Sequence, residues 1–234
     1  NIWGYDLISP DTYYSGYDFA KFILEKISEI SKEKKIFMVG GTGFYIDLVT
    51  GRIKPSFSEP DFNLRRELEK ESLEELQNRL RKINPEVLRI TDKKNKVRLI
   101  RAVEREAPPL KNPKELPYLS NTEFVFIGLE GTREFLYSKA DKWSEEVWAN
   151  GLIKETENLL KLGFGKSDKM KGLVYRSVVD YLGGVLSKEK AVERTKFDIH
   201  AYIRRQQTYF KKIPNINWFN ISDPKLKEKV YNFV

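Results

Sequence analysis

The sequence has no cysteine and a single histidine, His200. Disulfides and zinc-thiolate sites need thiols, so neither can form within these 234 residues. Catalysis by a Ser-His or Cys-His pair is also effectively excluded, since a lone histidine among helical aromatic residues is more often a packing or surface residue. Any chemistry must therefore run through carboxylates, hydroxyls, arginine, lysine or a bound metal.

Long apolar runs are missing as well. No stretch approaches the roughly 18–20 apolar residues that a membrane-spanning helix needs, and no signal peptide is visible. We therefore expect a cytoplasmic protein that does not associate with a membrane.

Positive charge, in contrast, is abundant. Lysine and arginine number 42 against 34 acidic residues, which gives a formal net charge of +8. Aromatic residues make up 13% of the chain. This combination favours a polyanionic partner, although an excess of lysine with glutamate is also ordinary for a solvated surface.

The most informative segment is residues 35–45, in which a short apolar run leads into Gly40-Gly41-Thr42-Gly43 and then an aromatic pair. We call Gly40–Gly43 the glycine turn. Its glycines lack a Cβ, so the backbone could adopt positive φ and bring N–H groups close to an anion, with the Thr42 hydroxyl as a further donor. This pattern is typical of a phosphate or diphosphate site, but glycine-rich turns are also common as plain structural elbows.

The first half of the chain reads as an α/β unit followed by an insertion. Apolar residues recur with helical spacing from Asp18 to Ser31, and Ile36–Val39 is predicted to be a buried strand that ends in the glycine turn. Residues 62–104 predict two or three charged amphipathic helices, with breaks at Asn84-Pro85 and near Thr91-Asp92.

The second half returns to the core. Phe124–Leu129 is predicted to be a buried strand, and a long helical stretch then runs from Thr132 to Leu162 with an interruption near Gly151. Gly163 is a plausible end of that stretch. A final helix over 187–212 precedes a short closing strand.

Five segments resemble those of one protein family, in the same order along the chain. They are Asp6-Leu7-Ile8-Ser9-Pro10 with Tyr14-Ser15 and Phe19, Gly40-Gly41-Thr42-Gly43-Phe44-Tyr45, Arg98-Leu99-Ile100-Arg101-Ala102-Val103-Glu104, Val174-Tyr175-Arg176, and Arg204-Arg205-Gln206-Gln207-Thr208-Tyr209-Phe210. The family is the tRNA dimethylallyltransferases. The second segment is similar to its Gly-Gly-Thr-Gly-Leu-Tyr loop and the last to its Lys-Arg-Gln-x-Thr-Trp-Phe.

The resemblance implies a P-loop NTPase-like α/β core with a parallel sheet and an inserted all-helical subdomain. The core would comprise residues 1–55 and 118–234, and the tRNA-binding subdomain with its linker residues 56–117. The implied reaction moves a dimethylallyl group from dimethylallyl diphosphate to the N6 amine of the adenosine beside the anticodon of tRNA. Magnesium is the implied cofactor, the anticodon stem-loop and dimethylallyl diphosphate are the implied partners, and we expect a monomer that also binds a nucleotide such as ATP.

The resemblance also assigns roles to residues. Thr42 and Arg176 are the predicted catalytic residues, and Gly40, Gly41, Thr42, Gly43 and Arg176 are predicted to hold the diphosphate. Arginine suits this role because its planar fork can bind two phosphate oxygens at once. The alternative for Arg176 is a surface ion pair with Asp180 one turn further on.

A larger set is predicted to contact tRNA: Arg65, Val97, Arg98, Leu99, Ile100, Arg101, Lys171, Tyr175, Arg176, Arg204, Arg205, Gln206, Thr208, Tyr209 and Lys211. Basic residues neutralise phosphates and aromatic rings stack on unpaired bases, and amides and hydroxyls can bond base edges. The target adenine would have to be turned out of its stack to react. The alternative for the last helix is a solvated basic face over a buried aromatic pair.

Three features depart from the family pattern. Val174 replaces a glycine before Tyr175-Arg176, and Tyr209 replaces a tryptophan while keeping a stacking face. In addition, the family's P-loop and the Asp-Ser-x-Gln-x-Tyr segment that carries its general base do not occur here. We expect about 70 preceding residues to be missing. Residues 1–234 alone would then bind an anticodon stem-loop but would not transfer a dimethylallyl group.

Two other functions stay open at this point. A nucleotide kinase is the nearest enzyme in fold, but it would leave the basic last helix without a use. A non-catalytic RNA-binding remnant would explain the lack of a P-loop.

Overall fold

The computed structural model describes residues 2–31, 35–55, 57–108, 114–119 and 122–234. These residues form two compact units, one made of Asn1–Arg52 with Tyr118–Val234 and the other of Ile53–Pro117. We call them the core unit and the helical unit. The sequence placed the first boundary after residue 55, whereas the compact core unit leaves off at Arg52.

Four short helices form within the described part of the helical unit: α3 (Phe62–Leu68), α4 (Leu73–Ile83), α5 (Pro85–Ile90) and α6 (Lys96–Glu106). Each one begins at a polar residue whose side chain accepts a hydrogen bond from a first-turn backbone N–H: Asp61, Ser72, Asn84 and Asn95. Both predicted breaks are confirmed. Asn84 ends α4 and starts α5, with Pro85 at the first helical position, where its missing N–H costs nothing.

Leucines fill the interior of the helical unit. The buried residues are Leu68, Leu76, Leu80, Leu88, Leu99, Ile100, Ala102 and Val103. They lie at helical spacing on one face of each helix, so that α4 and α6 pack against each other along their length. Most charged residues of the same helices lie at the surface, whereas Glu104 is buried and Arg65 is largely buried.

The described residues of the core unit form seven α-helices and a small sheet. The helices are α1 (Gly16–Ile30), α2 (Gly43–Val49), α7 (Arg133–Ala149), α8 (Leu152–Lys161), α9 (Tyr175–Leu182), α10 (Lys188–Phe210) and α11 (Leu226–Phe233). The strands β1 (Phe126–Glu130) and β2 (Ile216–Asn220) pair in parallel, with Gly128 opposite Trp218. The predicted interruption at Gly151 and the helix end at Gly163 are confirmed, and both glycines have positive φ.

One predicted strand does not form. Residues 36–39 are extended but belong to no ladder among the described residues, and Phe37 and Val39 are 63% and 93% exposed. The prediction of a buried strand was therefore wrong for the described structure. A strand is held by hydrogen bonds to a neighbouring strand, and an apolar run does not supply that neighbour.

Helix α10, the longest helix, is fixed to α7 by four side-chain pairs. The donor is named first: Trp148 with Thr195 (3.1 Å), Lys196 with Glu145 (2.6 Å), His200 with Asp141 (2.7 Å between ring nitrogen and carboxylate) and Arg204 with Tyr137 (2.9 Å). The His200 ring also stacks on Tyr137 at 3.9 Å. His200 is therefore a packing residue, as the sequence suggested.

No helix in the described ranges combines the length and the hydropathy needed to cross a bilayer.

Candidate active site and RNA-binding surface

The glycine turn leads directly into α2, with Thr42 as the residue that precedes the helix. None of its glycines has positive φ, so the predicted reason for their presence was wrong. What two of them provide is space. A Cβ on Gly41 would lie 1.9 Å from Gln206 Nε2, and a Cβ on Gly43 would lie 2.2 Å from Tyr209 Cδ1. The turn is glycine-rich because α10 lies against it.

Hydrogen bonds reinforce this contact at two points. Gln206 Nε2 donates to the Gly41 carbonyl oxygen at 2.9 Å, and the Tyr209 hydroxyl donates to Asp47 Oδ2 at 2.6 Å. Asp47 is only 6% exposed, and its other oxygen accepts from Arg52 Nε at 2.8 Å. Burial and the adjacent Asp47 carboxylate raise the pKa of Tyr209 to about 12. The hydroxyl therefore stays protonated and remains a donor at neutral pH.

The other side of the turn is open. No atom lies within 4 Å of the position that a Cβ on Gly40 would take. The Thr42 side chain is exposed and makes no capping hydrogen bond to α2. Gly40 and Thr42 therefore leave room and a free hydroxyl for a ligand, while Gly41 and Gly43 serve the contact with α10.

Arg176 lies in the first turn of α9 and is exposed. The alternative of an ion pair with Asp180 is not what the structure shows, because Asp180 accepts from Arg194 Nη1 at 2.6 Å. Within the described residues, the Arg176 guanidinium has no hydrogen-bond or ion-pair partner. Val174 before it has φ −102°, so the glycine of the family pattern is not needed here for a positive φ.

Among the described residues, no hydrogen bond or ion pair joins Arg176 to the glycine turn. Helix α10 packs against both α2 and α9 and so links the two. The 3₁₀ turn Asp168–Lys171, which also packs against α9, fixes residues 9–12: Lys169 Nζ donates to the carbonyls of Ser9 and Thr12 at 3.1 and 2.9 Å.

Two predicted RNA-contacting residues near Arg176 already have partners. The Tyr175 hydroxyl donates to Glu155 Oε1 at 2.5 Å, and burial together with this carboxylate raises the pKa of Tyr175 to about 12. Lys171 pairs with Asp168 at 2.6 Å on an exposed surface. Such an exposed pair is weak enough to exchange for a phosphate.

The end of α10 presents a mixed set. Arg204, Arg205, Thr208 and Lys211 are exposed, whereas Gln206 and Tyr209 are half-buried against the glycine turn. The Thr208 hydroxyl donates to the Arg204 carbonyl at 2.9 Å. The two arginines and Lys211 therefore offer charge to the outside, and Gln206 and Tyr209 hold the turn.

The helical unit divides its predicted residues in the same way. Val97 is 64% exposed and Arg98 is also exposed, whereas Leu99 and Ile100 are buried in the core. The buried side chains of Leu99 and Ile100 cannot contact an RNA, so these two residues could do so only through their backbone groups.

Arg65 and Arg101 both bond one carboxylate in this unit. Arg65 Nη2 donates to Glu104 Oε2 at 2.8 Å and Arg101 Nη1 donates to the same oxygen at 3.3 Å. Arg65 is mostly buried, with a side chain 12% exposed, whereas that of Arg101 is 38% exposed. Arg65 therefore has a structural task that the sequence did not reveal.

Sequence reasoning also missed Asp47 and Arg52. The available signal was a single carboxylate inside the otherwise apolar Phe44–Val49 segment, because a charge in such a place is usually paired when it is buried.

Comparisons with known proteins identify the family of this chain. A sequence profile of the family described as IPP transferase matches residues 3–213. A relative from Acetivibrio thermocellus, named tRNA dimethylallyltransferase, is 34% identical over 96% of this chain and 75% of its own length. Another of the same name, from Alkaliphilus oremlandii, is 32% identical over 93% of this chain and 73% of its own. The chain belongs to the IPP transferase family.

Solved structures extend the similarity to the fold. The full-length tRNA isopentenylpyrophosphate transferase of Bacillus halodurans is 28% identical, with a TM-score of 0.67 over 97% of this chain and 75% of that one. A eukaryotic dimethylallyltransferase acting on tRNA reaches a TM-score of 0.71 at 16% identity, covering 95% of this chain and 62% of that one. The predicted α/β fold class, with its small parallel sheet and many helices, is confirmed.

Proposed function

We propose that this protein modifies tRNA by transferring a dimethylallyl group from dimethylallyl diphosphate to the N6 amine of the adenosine next to the anticodon. The observation that carries the proposal is the family match over residues 3–213, supported by relatives named for this activity. The alternatives of a nucleotide kinase and of a non-catalytic RNA-binding remnant are not favoured by these relatives.

Arg176 is the residue that we assign to the donor. In the reaction the adenine nitrogen forms a bond to the allylic carbon while the bond from that carbon to the diphosphate oxygen breaks. Negative charge therefore grows on the departing diphosphate, and a fixed cation at that place stabilises the transition state. An exposed arginine whose neighbouring carboxylate is already bonded to Arg194 has its full charge available for this purpose.

Thr42 and the open face of the glycine turn are the second part of the proposed diphosphate site. Its hydroxyl is exposed and makes no helix-capping bond, and the backbone at Gly40 is unobstructed. A hydroxyl and uncovered N–H groups are donors suited to phosphate oxygens.

We assign the tRNA contact to the exposed cations of α10, with Val97 and Arg98 of the helical unit and Lys171 as further candidates. Arg204, Arg205 and Lys211 lie within eight residues on one helix end and would neutralise backbone phosphates. Two buried residues, Leu99 and Ile100, remain candidates only through their backbone groups. Arg65 remains a candidate only if its ion pair with Glu104 breaks.

The proton that leaves the adenine nitrogen needs a base, and no residue of this chain is assigned to that role. Mg²⁺ is proposed as the companion of the diphosphate, because the ion prefers phosphate and carboxylate oxygens. The described ranges contain no cluster of three or more acidic or histidine side chains that could hold a metal by itself. The oxygens of the bound diphosphate would themselves be ligands of the ion.

The test is a transfer assay. The complete natural polypeptide is incubated with dimethylallyl diphosphate, Mg²⁺ and unmodified tRNA, and the nucleosides are analysed by mass spectrometry. The expected product is adenosine carrying the dimethylallyl group at a single position in the anticodon loop. Binding of tRNA without this product would contradict the proposal and would favour the RNA-binding alternative. We expect the active species to be a cytoplasmic monomer, which sedimentation and cell fractionation check directly.

A further inference from the structure

We propose that Asp47 is a positioning residue: together with Tyr209 and Arg52 it sets the place of the glycine turn against α10, and transfer depends on that placement. This inference rests on the proposed function. It assigns Tyr209 a role through its hydroxyl inside the protein, in addition to the stacking face that the sequence suggested.

Asp47 carries a buried charge that is paired and hydrogen-bonded. Asp47 is 6% exposed within a helix whose neighbouring residues Leu48 and Val49 are fully buried. Each of its carboxylate oxygens has its own donor, Arg52 Nε at 2.8 Å on one and the Tyr209 hydroxyl at 2.6 Å on the other. Burying a carboxylate costs free energy unless it is paired and hydrogen-bonded, so a leucine would be the simpler choice here. The two directed bonds are what the carboxylate adds.

The bonds to Asp47 act on the glycine turn through α2. Helix α2 starts at Gly43, the last residue of the turn, so holding Asp47 holds the turn. Gln206 adds a second attachment, from its side-chain amide to the Gly41 carbonyl. Gln206 and Tyr209 are three residues apart on α10 and thus on one face of that helix. One face of α10 therefore holds the turn at Gly41 and holds the helix that follows it at Asp47.

Close packing also restricts the movement of the Tyr209 ring. The Tyr209 ring lies so close to Gly43 that a Cβ there would be 2.2 Å from Cδ1. A ring held on one face by the turn and at its hydroxyl by Asp47 has little freedom to move. The exposed Arg204 and Arg205 extend from the same helix end, so the attachment ties the proposed RNA contacts to the proposed diphosphate site.

The direct test is Tyr209→Phe in the complete natural polypeptide, because this change keeps the ring and deletes only the donor. We expect kcat/KM for dimethylallyl diphosphate to fall about 10- to 100-fold, as for loss of one hydrogen bond to a charged group. The KM for the donor should rise, and the Kd for tRNA should stay within about twofold. The matched control is Tyr231→Phe, which removes a hydroxyl from a side chain that is 81% exposed on α11.

The split between the two substrates separates positioning from folding. A purely structural role would lower the melting temperature and the active fraction but would leave both KM values unchanged, and that result overturns the inference. An equal loss of tRNA affinity overturns it as well, since Tyr209 would then act by touching RNA. Asp47→Asn should change the kinetics in the same direction, and Tyr209→Phe decides the matter if that variant fails to fold.

A wild-type protein that binds tRNA but transfers nothing would instead refute the proposed function, and this inference with it. Active wild type with an unaltered Tyr209→Phe variant refutes only the inference.

Discussion

Arg65 of the helical unit and Arg176 of the core unit have different surroundings. In the helical unit, Arg65 is bonded at 2.8 Å to Glu104, a carboxylate whose side chain is only 5% exposed. In the core unit, Arg176 is exposed, and the acidic residue one turn away, Asp180, already holds Arg194. An arginine bonded to a buried carboxylate serves the fold, whereas an exposed one without such a partner keeps its charge for a ligand.

Both units combine a buried apolar cluster with exposed apolar residues. The helical unit buries eight residues in one cluster but leaves Ile90 and Val97 78% and 64% exposed. The core unit likewise leaves Phe37 and Val39 exposed in the segment before the glycine turn. The difference between Arg65 and Arg176 therefore does not extend to the apolar residues of the two units.

The largest effect is expected for Glu104→Ala in the helical unit. Removing this carboxylate breaks the ion pair that it forms with the mostly buried Arg65, and breaking a buried pair in this way typically costs about 3–5 kcal/mol of unfolding free energy. Circular dichroism during urea unfolding should report it, because the four tryptophans all lie in the core unit and would miss a local transition.

Glu86→Ala is the control for that experiment. Glu86 pairs with Arg89, and both side chains are more than three-quarters exposed. Exposed pairs contribute little, so a change of no more than about 0.5 kcal/mol is expected. If both substitutions cost the same, the contrast between a structural and a free arginine would lose its basis.

The second effect is catalytic. Arg176→Ala should lower kcat by about 10²-fold or more and change the Kd for tRNA little, because the lost contact is with charge that develops on the leaving diphosphate. Arg133→Ala is a matched control: Arg133 is also exposed in the first turn of a core-unit helix, and no role is proposed for it. An equal loss of tRNA affinity in Arg176→Ala would place this residue on the RNA side.

How far the sequence could predict these features depended on the range of the signals. Helix ends at Asn84-Pro85, Gly151 and Gly163 were predicted correctly, since capping and left-handed conformations are set by a few adjacent residues. The strand at Ile36–Val39 was not, because strand formation depends on a partner elsewhere in the chain.

The site shows the same limit. Residue types at the glycine turn and at Arg176 followed from the resemblance, but the reason for the glycines did not. Gly41 is held by a residue 165 positions away, Gln206, and no local pattern announces such a contact. The partner of Asp47 and the pairing of Asp180 with Arg194 were hidden for the same reason.

The third effect concerns RNA affinity. Replacing Arg204 and Arg205 together by alanine should weaken tRNA binding about tenfold. The salt dependence of binding should also become less steep, because a protein that makes fewer phosphate contacts releases fewer counterions from the RNA. A filter-binding titration at several salt concentrations measures both. Lys188 and Lys190 at the opposite, exposed end of α10 provide a control with the same loss of charge. Similar slopes for both double variants would mean that overall charge, rather than this helix end, attracts the RNA.

The smallest effect is a shift in tyrosine titration. Burial and a bonded carboxylate raise the pKa of Tyr209, beside Asp47, and of Tyr175, beside Glu155, to about 12 from the ordinary 10.0. Since the folded-state pKa is the higher one, the stability these groups contribute is fully present below pH 10 and is lost as pH rises through 12.

Ultraviolet absorbance of tyrosinate after a rapid pH jump should show two late-titrating residues. Tyr209→Phe and Tyr175→Phe should each remove one of them, and Asp47→Asn should move the Tyr209 transition to lower pH. An unchanged late transition in Tyr209→Phe would show that its hydroxyl is not held by Asp47 in solution, and the attachment of the glycine turn to α10 would then rest on Gln206 alone.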